Sequence, residues 1–173
     1  MVLKCIITFH LGQSYKKLEV TRMENKNQKL INYLNQLLSN YFVMYVKLHR
    51  YHWFVQGRHF FTLHEKFEEM YEMVASDLDD IAERILSIDG KPLATMAKYL
   101  KESTLEEATA DDKENEIIDQ LISDYEQIIN EIKKDGLSLS TELGDEPSSD
   151  LLITIQGKLE KYVWMLKSYR AYE

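Results

Sequence analysis

A chain of 173 residues with 45% hydrophobic and 29% charged side chains is long enough for one globular domain with a real core and too apolar for a disordered chain. Its single cysteine, Cys5, builds neither an internal disulfide nor a thiolate cage, so any metal chemistry falls to imidazoles and carboxylates. The formal charge of -8 disfavours a surface that tracks nucleic-acid phosphates and suits one that handles cations.

No apolar run approaches the roughly 18 residues of a membrane span, and Val2 to Leu11 is too short and interrupted for a signal peptide. The expected location is therefore the cytoplasm, with no membrane partner. Residues 1–22 carry Lys4, Lys16, Lys17 and Arg22 against Glu19 and join no helical stripe. They read as a disordered basic extension, or as a stretch preceding a natural start at Met23. The domain proper is then residues 23–173.

Six glycines and two prolines sit where they punctuate long helices, which favours an all-α fold. From Asn27 to Gln56, residues Leu34, Leu37, Tyr41, Tyr45, Leu48 and His52 recur at three- and four-residue steps, and Gly57 ends that helix. A second stripe carries His64, Phe67, Tyr71, Val74, Leu78, Ile81, Ile85 and Ile88, and Gly90-Lys91-Pro92 stops it. The connection from Gly90 to Ala110 is long, with a short extra helix over Leu93 to Leu100. A third stripe, Ile117, Leu121, Tyr125, Ile128 and Ile132, follows a capping-box-like Asp111-x-x-Glu114 and ends at Gly136. The fourth, Leu152, Ile155, Leu159, Tyr162, Leu166 and Tyr169, follows Glu146-Pro147, with proline suited to a first helical turn. Four long amphipathic helices with a long central crossover predict an antiparallel, ferritin-like four-helix bundle.

His52, His64, Asp79 and Glu83 carry the chemistry. Both imidazoles belong near the turn between the first two helices, and Asp79 and Glu83, four residues apart, share one helix face. His64 and Asp79 lie 15 residues apart on one helix, or roughly 22 Å at the helical rise. One metal cannot bridge them within a chain. A two-fold partner packing its second helix antiparallel would bring the His end of one chain to the carboxylate end of the other and create two identical sites. Nitrogen and oxygen donors without thiolate suit Fe(II), with Zn(II) or Mn(II) as competitors.

The stretch from Leu48 to Phe67, including His52-Trp53, Gly57, Phe60-Phe61-Thr62-Leu63-His64-Glu65-Lys66, resembles the Dps family of mini-ferritins. Asp79-x-x-x-Glu83-Arg84, Ile88-Asp89-Gly90-x-Pro92 and Tyr162-Val163-Trp164-Met165-Leu166 extend the resemblance from about Met23 to the C-terminus. It implies a twelve-subunit hollow shell that binds Fe(II) at two-fold interfaces. It also implies oxidation of that iron preferentially by hydrogen peroxide, with storage of ferric mineral inside. His52 and His64 match the ligands from one subunit, and Asp79 and Glu83 those from its partner. The resemblance places Trp53 beside the oxidation site, where it intercepts oxidising equivalents. It assigns the acidic group Glu142, Asp145, Glu146 and Asp150 to pores that admit iron.

Each of these residues has a plainer role as well. A histidine on an apolar stripe is more often a satisfied core residue, and Trp53 packs a core or an interface. An acidic i,i+4 pair usually faces solvent, and acids near a helix N-terminus favour its dipole. Glu68, one turn after His64, could support the site from behind, whereas His49 and His59 are expected to meet solvent or residues that lie behind the ligands. A DNA-compacting stress protein is the alternative function. It is disfavoured because residues 23–173 carry a charge of -11, given +3 on residues 1–22 and -8 overall. Glu-x-x-His motifs of other di-iron bundles are absent from the sequence.

Overall fold

In the computed structural model, residues 2–109 and 113–171 are described, with side chains from residue 26 onward. Residues 2–22, read from sequence as a disordered extension or a stretch before a natural start, have a helical backbone continuous with the first helix, and their side chains are not described. The apolar stripes become α1 (Val2–Phe54), α2 (Phe60–Ser87), α4 (Glu114–Glu131) and α6 (Glu146–Arg170), with a short α3 (Met96–Glu102) in the crossover. Helix α1 lies along α2 and α4 along α6, so the apolar stripes meet in one bundle. Leu34, Tyr41, Phe67, Ile81, Leu121, Tyr125, Ile155 and Leu159 are buried along its axis. Each side chain of this kind contributes about 1.5–3 kcal/mol on burial. On the flank of α1, Tyr99 of α3 stacks on Phe42 with ring centroids 3.9 Å apart and donates its hydroxyl to the Leu93 carbonyl at 2.6 Å.

The third helix differs from its expected course. It does not stop at Gly136: a π-helical turn (Ile132–Gly136) runs directly into α5 (Leu137–Leu143). Gly136 is buried against the Tyr33 ring, and a side-chain Cβ there would sit 2.7 Å from Tyr33 Cζ. Its small size serves packing, not termination. The stop comes at Gly144, whose φ of +66° and left-handed backbone let the Asp145 N–H donate to the Ser140 carbonyl at 2.9 Å. At the start of α4 the cap position belongs to Lys113, and Asp111 of the expected capping box lies outside the described residues. Helix α6 begins as read, with Pro147 in its first turn.

Two ion pairs inside the bundle have no counterpart in the sequence reading. Lys47 Nζ lies 2.5 Å from Asp124 Oδ2, with side chains 2% and 11% exposed, and also donates to the Glu106 carbonyl at 2.9 Å. Lys158 Nζ lies 2.5 Å from Asp77 Oδ1, whose carboxylate is 1% exposed. Burial pushes both aspartates above their ordinary range, and the two lysines partly offset it. A buried carboxylate without such a partner is costly, so each aspartate depends on its lysine.

Candidate metal centre

His52 stands in the last turn of α1 and His64 near the start of α2. The turn between them passes through Gly57, whose φ of +139° suits only glycine. It folds the chain back so that the two imidazoles stack, centroids 3.7 Å apart and planes 19° from parallel. His52 Nδ1 lies 2.7 Å from the His64 carbonyl oxygen, and His64 Nδ1 lies 2.7 Å from the His52 carbonyl oxygen. A carbonyl only accepts, so each Nδ1 carries a hydrogen, and in the neutral ring the lone pair is then on Nε2. Phe60 covers the other face of His64 at 5.1 Å, and the Tyr71 ring meets His52 edge-on at 5.4 Å. Two aligned, half-buried nitrogen donors result.

Asp79 and Glu83 lie on the exposed face of α2, one turn apart, and neither makes a hydrogen bond or ion pair among the described residues. They share one unbroken helix with His64, so the separation of roughly 22 Å holds. The fold thus joins His52 to His64 and Asp79 to Glu83, and it keeps the two pairs apart within the chain. Among the described residues no three His, Cys, Asp or Glu side chains converge on one point.

Trp53 is 64% exposed and meets the His49 ring at 5.4 Å. His49 in turn stacks on Tyr71 at 4.0 Å, with its Nδ1 2.9 Å from the Tyr45 carbonyl oxygen. Glu68 is exposed and lies near Tyr71, whose hydroxyl pKa is pushed up by desolvation and by the Glu68 charge. Glu68 therefore faces the same aromatic group as His52.

The acidic group at the start of α6 divides by role. Asp145 is the N-cap, accepting from the Ser148 hydroxyl at 2.8 Å and pairing with Arg84 at 2.5 Å. Burial raises its pKa, but the bonds from Arg84 and Ser148 outweigh this and hold the carboxyl below its usual range. Arg84 also donates to Ser148 Oγ at 2.8 Å, so the carboxylate end of α2 is fastened to this turn. Glu142 pairs with Lys26 at 3.2 Å, while Glu146 and Asp150 are exposed. His59 departs most from expectation: it bonds to Glu114 and Tyr169, 55 and 110 residues away. Separations of that size leave no local signal to read.

No helix among the described residues is long and apolar enough to cross a membrane. Residues 31–171 match the ferritin-like domain family. General stress protein 20U of Bacillus subtilis is 44% identical over 143 residues, which cover 83% of this chain and 98% of the relative. DNA protection during starvation protein 2 of Bacillus anthracis is also 44% identical over 143 residues, covering 83% and 97%. The crystal structure of a Dps protein from Vibrio cholerae O1 superposes with a TM-score of 0.80 at 37% identity, covering 84% of this chain and 91% of that one. That protein is described as a member of a broad superfamily of ferritin-like diiron-carboxylate proteins. Sequence and bundle agree, and the chain belongs to the Dps family of ferritin-like proteins.

Proposed function

We propose that this chain is the subunit of a homo-oligomeric, twelve-membered shell that oxidises Fe(II), with hydrogen peroxide as preferred oxidant, and stores the ferric product. The observation that carries this reading is the division of donors along α2, with two oriented Nε2 atoms at one end and two unpaired carboxylates at the other. Two-fold pairing of α2 makes each site from His52 and His64 of one subunit and the Asp79 and Glu83 of the partner subunit. Iron is the substrate. The two imidazoles supply neutral donors, and the two carboxylates offset the charge of the bound cation and favour its oxidised form. Two Fe(II) ions give one electron each to hydrogen peroxide, which takes two protons and leaves as two waters. A two-electron reduction releases no hydroxyl radical, and exposed Trp53 stands ready to intercept a stray oxidising equivalent.

Exposed Glu146 and Asp150, with Glu142 beside them, support a cation-attracting approach, and Asp145 holds their turn in place. Protection of DNA, named for the Bacillus anthracis relative, follows from removing iron and peroxide together and needs no contact with DNA.

Co-expressing a His52→Ala, His64→Ala chain with an Asp79→Ala, Glu83→Ala chain tests the shared site. Each mixed pair regains one of its two sites, so random co-assembly recovers about a quarter of the wild-type oxidation rate while either parent alone is inactive. A mixture as inactive as its parents would sink the proposal.

A further inference from the structure

His59, Glu114 and Tyr169 come from the α1–α2 turn, the first residue of α4 and the last turn of α6. His59 Nδ1 lies 3.0 Å from Glu114 Oε2, Tyr169 Oη lies 2.8 Å from His59 Nδ1, and Tyr169 Oη lies 3.0 Å from Glu114 Oε2. Three donor atoms therefore form a nearly equilateral triangle. With the carboxylate ionised, at most two protons, one on the imidazole Nδ1 and one on the phenol, serve the three sides of the triangle. Such spacing has a second meaning. With bonds of about 2.0–2.1 Å, neighbouring ligands of an octahedral ion stand about 2.9 Å apart. From these distances we propose that His59 Nδ1, Glu114 Oε2 and Tyr169 Oη form one face of a mononuclear site for Fe(III).

The carboxylate is built for this task. Glu114 Oε1 accepts from the His59 backbone N–H at 2.8 Å, which turns Oε2 toward the other two donors. Gly57 makes room for it, since a side-chain Cβ there would sit 2.7 Å from Glu114 Cδ. Glu114 is 11% exposed and His59 37%, so the protein covers one side and the other is open for water to complete the coordination. The N-termini of α2 and α4 oppose a cation here, and ionisation of the phenol supplies a second negative charge to offset them. Carboxylate and phenolate are hard donors and imidazole also suits iron, so the set fits trivalent iron. Binding releases the phenol proton to solvent, and no electron moves. The site is separate from His52 and His64 and does not depend on the oxidation reading.

Titration of the full-length protein with ferric nitrilotriacetate, up to one iron per chain, tests it. The expected signal is a visible phenolate-to-iron charge-transfer band with phenolate ring modes in resonance Raman, saturating near one equivalent. Tyr169→Phe removes one oxygen and abolishes the band, His59→Asn weakens iron binding about tenfold or more, and His52→Ala, His64→Ala leaves both signals intact. Absence of the band in the wild type, or its survival in Tyr169→Phe, overturns the proposal. Circular dichroism of the Tyr169→Phe chain at wild-type helicity excludes unfolding as the cause of a lost band; a chain that unfolds is replaced by Glu114→Gln, for which a retained band is equally fatal.

Discussion

His52 and His64 hold each other by their backbones: each imidazole Nδ1 sits 2.7 Å from the other residue's carbonyl oxygen. Because the anchors are main-chain atoms, replacing one histidine by alanine leaves the other ring oriented. His52→Ala therefore deletes one donor without scrambling the second. Peroxide-driven Fe(II) oxidation, followed by stopped-flow absorbance, is expected to slow about 10- to 100-fold. Stability changes by only about 1 kcal/mol, the worth of one ring stack. An unchanged rate removes His52 from the site.

Lys47 and Asp124 make the opposite case, since there a side chain is the anchor. Lys47→Ala leaves the Asp124 carboxylate buried without its partner and is expected to cost about 3–5 kcal/mol in chemical denaturation. Lys47→Met combined with Asp124→Leu removes both charges and restores most of that loss. If the double variant is as unstable as Lys47→Ala, the pair is not what stabilises this part of the bundle.

Gly136→Ala places a methyl group against the Tyr33 ring and is expected to destabilise by about 1–3 kcal/mol. In a Tyr33→Leu background the same change costs less, because the ring is gone. The Tyr33 hydroxyl is buried with no hydrogen-bond partner among the described residues, so Tyr33→Phe is neutral or stabilising. Thermal melts of the four chains measure the coupling directly.

Burial alone would raise the Glu114 pKa, but hydrogen bonds from the His59 N–H, its ring and Tyr169 outweigh it and hold the carboxyl below its ordinary 4.5. The unfolded chain thus binds this proton more tightly, and stability rises with pH through that window. The contribution is complete above pH 4.5 and is lost as pH falls through the lower folded value. Glu114→Gln is expected to flatten this acid-side loss in denaturation measured from pH 6 to 3. Raised Asp77 and Asp124 act in the other direction, so the informative quantity is the difference between the two chains.

A chain starting at Met23 carries a charge of -11 and is expected to leave duplex DNA unshifted in a mobility assay at moderate salt. In the proposed twelve-subunit shell, copies of the basic residues 1–22 add multivalent attraction, so any shift is expected from the longer chain and disappears as salt rises. Retardation by the Met23 chain at moderate salt contradicts this.

Apolar spacing alone was enough to read the four long helices, because a 3.6-residue period is local. The same locality determined that His64 and Asp79 cannot share a metal within one chain, since helical rise converts 15 residues into a distance. Gly136 shows where local reading stops: a glycine that ends a helix and one that makes room for Tyr33 look alike in sequence, and only packing tells them apart. Tertiary structure likewise decided which nitrogen of His52 and His64 faces outward, because the deciding carbonyls come from the opposite side of a turn. It also brought Lys47 to Asp124 and His59 to Glu114 and Tyr169. Those partners are distant along the chain, and side-chain hydrogen bonds and ion pairs act only over a few ångströms in space. Helix content and the spacing of candidate ligands were therefore sequence properties, whereas tautomer, buried charge pairing and the His59–Glu114–Tyr169 donor triangle belong to the folded bundle.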